Sequence, residues 1–85
     1  MAKVIMLTQE NCPNCSSLKM FLEFGMKNKY KDDIEVVHRQ SDESRFMELV
    51  QTYDVASTPV LIADDEVLRD CSPTKTIEFL NKAVQ

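Results

Sequence analysis

Two cysteines stand three positions apart in Cys12-Pro13-Asn14-Cys15. An apolar run, Val4-Ile5-Met6-Leu7, precedes them, and an amphipathic segment begins near Pro13. A pair of thiols at a strand-to-helix junction is placed for thiol–disulfide exchange. The first turn of a helix leaves backbone N–H groups unpaired and carries roughly half a positive charge. A sulfur held there is stabilised as thiolate, the form that attacks disulfides. Cys12, at the expected N-cap, gains most; Cys15, about one turn inside, is expected to be more covered. This reading makes Cys12 the nucleophile and Cys15 the resolving thiol. Lys19, one turn further on, reads as a solvated side chain.

The same four residues have other uses. C-x-x-C is half of many zinc sites, and a structural zinc site needs four ligands. Outside the pair the chain offers only Cys71 and His38 as soft ligands, and neither belongs to a second close pair. No metal is expected, and a zinc-binding structural module stays as the alternative. A purely structural disulfide is weaker still, because so short a loop removes little entropy from the unfolded chain. His38, the only histidine, reads as a half-exposed residue at a strand end. Cys71 reads as a small, partly buried hydrophobe.

At 85 residues the sequence allows one small domain spanning 1–85, and 44% hydrophobic residues suffice for a compact core. The formal charge of −4 comes without a basic stripe interleaved with aromatics, which argues against nucleic acid as a partner. Neither a leader sequence nor a bilayer-spanning run is legible, so no membrane association is expected. Three cysteines, an odd number, do not fit a secreted disulfide framework. The expectation is a monomer in a reducing cytoplasm, where thiols serve catalysis.

Positioning the dithiol falls to a short series of elements. Val4 to Leu7 suits a strand covered on both faces. From Pro13 to about Lys29 the pattern is helical, with Leu18, Phe21, Leu22, Gly25 and Met26 on one face. Met20 and Phe24 lie off that face and are taken as widening a buried surface; the alternative is an apolar patch that docks a partner. Lys27, Lys29 and Lys31 are expected to complement the helix's negative end. Ile34 to His38 forms a second strand, parallel to the first through a right-handed crossover. Ser41 is expected to cap a helix running to about Tyr53, with Phe46, Leu49, Val50 and Tyr53 facing inward. Pro59 to Ala63 is a central strand, turned at Asp64-Asp65 into an antiparallel strand from Glu66 to Arg69. Ser72 caps a last helix with Pro73 at its first position and a buried stripe of Ile77, Leu80 and Val84, flanked by Phe79 and Ala83.

That β-α-β-α-β-β-α order, with C-P-x-C after the first strand and Thr58-Pro59 opening the third, resembles the glutaredoxin and small-thioredoxin family over essentially the whole chain. The resemblance implies an α/β, thioredoxin-like fold: a four-stranded mixed sheet flanked by three helices. It implies a cis Thr58–Pro59 bond facing the dithiol, with substrate held by Pro13, Asn14, Thr58 and Pro59. It implies a dithiol–disulfide oxidoreductase that reduces protein disulfides, such as that of ribonucleotide reductase. Such a protein needs no cofactor beyond its own Cys12–Cys15 disulfide, and thioredoxin reductase or glutathione re-reduces it. The departures bear on glutathione. Glutaredoxins usually carry Gly-Gly after the fourth strand, and here Arg69-Asp70 stand there. They usually carry a lysine before the first cysteine, and here Gln9 stands near that place. Gln9, Arg69, Asp70 and Ser72 are left as a different polar rim, which leans the donor away from glutathione. The other reading on the same fold is a redox-silent binding protein.

Overall fold

The computed structural model describes residues 4–84. Strand β1 (Val4–Thr8) leads through a tight loop into helix α1 (Pro13–Met20), which widens into a π-type turn over Phe21–Gly25. A short 3-10 turn at Lys31–Asp33 precedes β2 (Ile34–His38), followed by α2 (Glu43–Tyr53), β3 (Val60–Ala63), β4 (Glu66–Leu68) and α3 (Pro73–Ala83). The sheet order is β2-β1-β3-β4. β1 runs parallel to β2 and antiparallel to β3, and β3 runs antiparallel to β4. The fold is therefore a four-stranded mixed sheet with three helices, in the expected order.

The apolar runs explain the two inner strands. Val4, Met6 and Leu7 of β1 and all four residues of β3 are buried. A strand covered on both faces reads as a continuous apolar run rather than an alternation. β2 lies at an edge and shows it, since Val36 is 58% exposed. One face of the sheet packs Val4, Met6, Leu18, Tyr30, Leu61 and Leu80. The other packs Leu7, Val37, Phe46, Val60 and Ile62, with Leu49, Val50 and Tyr53 of α2 closing over them.

Four local expectations need correction. The first helix stops at Gly25 rather than near Lys29, because Lys27 and Asn28 take left-handed backbone angles (φ 53° and 57°) that no helix continues. Lys27, Lys29 and Lys31 follow that helix end, Lys27 directly after its C-cap Met26. Met20 and Phe24 do not widen a buried face: they are 59% and 72% exposed. The N-cap of α2 is Asp42, one residue after Ser41, and its side chain makes no capping hydrogen bond. In α3 the buried face is rotated by about one position, so that Thr76 and Leu80 are fully buried while Ile77 is 38% exposed. Phe79, Ala83 and Val84 complete that face. A stripe chosen by hydropathy alone puts isoleucine inside and threonine outside, and packing against the sheet reverses the two.

Candidate active site

Both cysteines owe their positions to the junction of β1 and α1. Asn11, with φ 57°, turns the chain out of β1, a conformation asparagine tolerates better than most residues. Cys12 is then the N-cap of α1 in extended backbone, and Pro13 takes the first helical position. The Cys15 backbone N–H donates to Cys12 Sγ at 3.1 Å. A sulfur thus occupies the place where a serine or aspartate oxygen caps an ordinary helix. Cys12 and Cys15 lie at disulfide distance, with Cα atoms 5.2 Å apart. Cys15 is 3% exposed, whereas Cys12 is only part-buried. The outer sulfur is the one a second molecule can reach.

The second side of the site comes from the loop before β3. Thr58–Pro59 is a cis peptide bond. Pairing of Leu7 with Val60 brings the start of β3 beside the end of β1. Thr58 accordingly meets the dithiol, its carbonyl oxygen 3.7 Å and its Oγ1 3.5 Å from Cys12 Sγ. A disulfide sulfur and a thiolate both lack hydrogen, so across the 3.5 Å contact the threonine hydroxyl is the donor.

Asn14, Thr58 and Pro59 share a groove of about 380 Å³ with Arg69, Asp70 and Ser72. Phe21 and Cys71 also line it. The structure thus gathers three members of the expected polar rim but not the fourth. Gln9 stands across the dithiol loop, accepting a hydrogen bond from Arg39 Nη1 at 3.2 Å, and lines different clefts. The physical reason is the loop itself, which carries Cys12 between Gln9 and the groove. Arg69 is also committed elsewhere: its guanidinium donates to the Asp54 and Tyr53 carbonyls, both at 2.9 Å. Those are the last carbonyls of α2, which a cation satisfies in both charge and hydrogen bonding. Asp70 pairs with Lys75 at 2.9 Å, and this partner holds its carboxyl below the usual value. Ser72 is the N-cap of α3 but makes no side-chain cap bond.

Cys71 Sγ lies 3.7 Å from the Pro59 carbonyl oxygen and 3.6 Å from that of Leu68. It packs against the core, and burial pushes its thiol up to about 11. Near neutral pH it is a protonated, weakly nucleophilic group, the small hydrophobe its sequence context suggested. Among the described residues no group of three or more His, Cys, Asp or Glu side chains is arranged to hold a metal ion. Phe21 was legible as a helix-face residue but not as a wall of the groove. Its signal was Gly25, four positions on: a Cβ there would come within 2.7 Å of the Phe21 ring. The chain's single glycine leaves room for that ring.

A dithiol at a helix N-terminus facing a Thr-Pro loop, on this sheet order, defines a thioredoxin-like fold. Similar solved structures agree. The crystal structure of the thioredoxin-like protein BC3987 aligns with a TM-score of 0.72 and 29% identity, over 92% of this chain and 100% of that one. Its T8A mutant aligns with a TM-score of 0.67 and 28% identity, over 98% of this chain and 100% of that one. No protein-family model matches the chain, and no curated protein matches it significantly.

Proposed function

We propose that the chain is a dithiol–disulfide oxidoreductase of the glutaredoxin or small-thioredoxin kind, reducing protein disulfides through Cys12 and Cys15. One observation carries the reading: Cys12 Sγ caps α1, accepting the Cys15 N–H at 3.1 Å, with Thr58 Oγ1 at 3.5 Å. Each contact stabilises negative charge on that sulfur, as does the positive end of the helix dipole. The Cys12 thiolate attacks one sulfur of a target disulfide, and the other target sulfur leaves as thiolate. Cys15 then loses its proton and attacks Cys12 Sγ, expelling the second target thiolate and closing the Cys12–Cys15 disulfide. Two electrons pass to the target, and two must return from a donor.

The groove beside Asn14, Thr58 and Pro59 is the place for the target backbone, which can pair with the Thr58 peptide as an added strand. A ribonucleotide reductase disulfide is one such target. Arg69 is tied to the end of α2 and Gln9 lies outside the groove, which favours a reductase protein over glutathione as donor. The work is assigned to a reducing compartment, the cytoplasm; no helix among the described residues is long and apolar enough to cross a membrane.

The test is to titrate the reduced protein by thiolate absorbance. Cys12 is expected to ionise well below the free-cysteine value of about 8.5. A Cys15→Ser protein should hold target proteins as mixed disulfides that dithiothreitol releases. A Cys12 pKa at the free value, with nothing trapped, would sink the reading.

A further inference from the structure

Phe21 follows the last residue of α1 and opens the π-type turn, its carbonyl oxygen accepting the Met26 N–H at 2.9 Å. The side chain is half-buried, yet among the described residues it joins neither of the two apolar clusters that flank the sheet. It lines the Thr58 groove instead. Gly25, the chain's single glycine, stands in the same helical turn, where glycine is disfavoured. A Cβ at position 25 would come within 2.7 Å of Cδ1 and 3.0 Å of Cε1 of the Phe21 ring. Turns of the π type recur at functional sites, and this one delivers an aromatic side chain to the groove.

The rest of the lining leaves selection to this ring. Among the described residues, Arg69 and Asp70 are the charged members of the groove wall, one positive and one negative. Both are engaged within the chain, Arg69 with the Tyr53 and Asp54 carbonyls and Asp70 with Lys75. The wall therefore carries no net sign by which to choose a strand. Asn14, Ser17, Leu18 and Phe21 follow one another along α1 at helical spacing, so the groove runs from the turn that holds the dithiol out to the ring. That run is about 10 Å of helix rise, which an extended strand covers in about three residues. A large apolar side chain of the strand, laid on a half-buried ring, gains from both hydrophobic transfer and ring packing.

We infer that Phe21 is a specificity-determining residue of the groove, receiving a large apolar side chain two to four residues from the reacting cysteine of the target strand. Gly25 is its positioning residue and acts by leaving the ring its place. The inference rests on the oxidoreductase reading for the reaction and adds the class of disulfide that reacts best. A target cysteine with phenylalanine or leucine at that distance is taken up faster than one among small polar residues.

The experiment uses symmetric peptide dimers joined by one disulfide, with Phe or Ser placed two, three or four residues to either side of the cysteine. Pre-reduced protein, freed of dithiothreitol, is mixed with each dimer and the peptide thiols are followed by rapid quench. Each turnover yields two peptide thiols and one Cys12–Cys15 disulfide. At one offset or more the Phe dimer should react roughly tenfold faster than its Ser match, as burial of one apolar side chain provides. Phe21→Ala should bring that ratio close to one, and Gly25→Ala, which crowds the ring, should lower it. Phe21→Leu, apolar but smaller, should keep an intermediate preference. Taking the ratio within each variant cancels any general loss of folding or thiol reactivity, and the wild-type ratio needs no variant at all. Equal rates for Phe and Ser dimers at every offset would overturn the inference and leave the oxidoreductase reading in place. So would a Phe preference that Phe21→Ala leaves intact. Wild-type protein that reduces none of the dimers rules out the oxidoreductase reading itself, and the inference with it.

Discussion

At the scale of single residues, the site turns on how three sulfurs are treated. Cys12 is set where a helix end and two donors favour its anion. Cys15 is covered. Cys71 is half-buried beside two carbonyl oxygens, and burial pushes its thiol up to about 11. Reduced protein at neutral pH should therefore alkylate at Cys12 first and at Cys71 last, as peptide mapping of an iodoacetamide time course would show. Thr58→Val keeps the shape and deletes the hydroxyl, and should raise the Cys12 pKa, as thiolate absorbance of the reduced protein would read. For Cys71 the sign follows from its raised folded value: between the unfolded value of 9.0 and about 11 the unfolded chain loses a proton the native state keeps. Stability present below pH 9.0 should fall as pH rises toward 11. Comparing denaturant midpoints of the wild type and Cys71→Ala across that range isolates this residue's share. The dithiol was fully legible, because a two-thiol spacing before a helix is a local signal. The engagement of Arg69 was not, because its partners, the carbonyls of Tyr53 and Asp54, belong to a helix end many residues away.

At the scale of elements, the helices show where hydropathy misleads. Thr76 is fully buried and its Oγ1 has no hydrogen-bond partner among the described residues. An unsatisfied buried hydroxyl costs about 1–3 kcal/mol. Thr76→Val should therefore raise the unfolding free energy by about 1 kcal/mol, read from urea midpoints at constant slope. The neighbouring Ile77→Ser, on the exposed side, should change it by no more than about 0.5 kcal/mol. Leu80→Ala in the core should cost about 2–5 kcal/mol. The strands were legible to within a residue, since the runs in β1 and β3 have one simple cause, burial on both faces. The end of α1 was not, because nothing in Lys27-Asn28 announces left-handed backbone as a glycine would. Glu35 on β2 and Arg45 on α2 form a two-toothed ion pair that ties the edge strand to its helix, with one contact at 2.7 Å. The hydrogen bond from Arg45 lowers the Glu35 pKa. That contribution is present above the unfolded carboxylate value and is lost as pH falls through the folded one. Glu35→Gln should accordingly flatten the acid limb of the stability profile.

At the scale of the whole molecule, the chain order places its chemistry at one end of the sheet. The same loop that carries Cys12 separates the Thr58 groove from the cleft that Gln9 lines. The overall order of elements was legible because it needed only the succession of strands and helices. The exposure of Met20 and Phe24 was not, since it depends on the direction in which they leave a helix whose buried side cannot be read by spacing alone. Phe24→Ser should leave the unfolding free energy within about 0.5 kcal/mol of wild type, as an exposed position does.

Leu7 faces Val60 across the sheet, and that one pairing decides which atoms greet Cys12. Slide β3 by a single residue and every side chain on it changes faces, while the threonine moves about 3.4 Å along the strand. On the proposed reading, the acidity of the outer thiol is a ruler laid across two distant segments of chain. A chemist who follows how fast that thiol reacts while the protein is pulled apart by urea is reading the alignment of its strands, one sulfur reporting for the whole sheet.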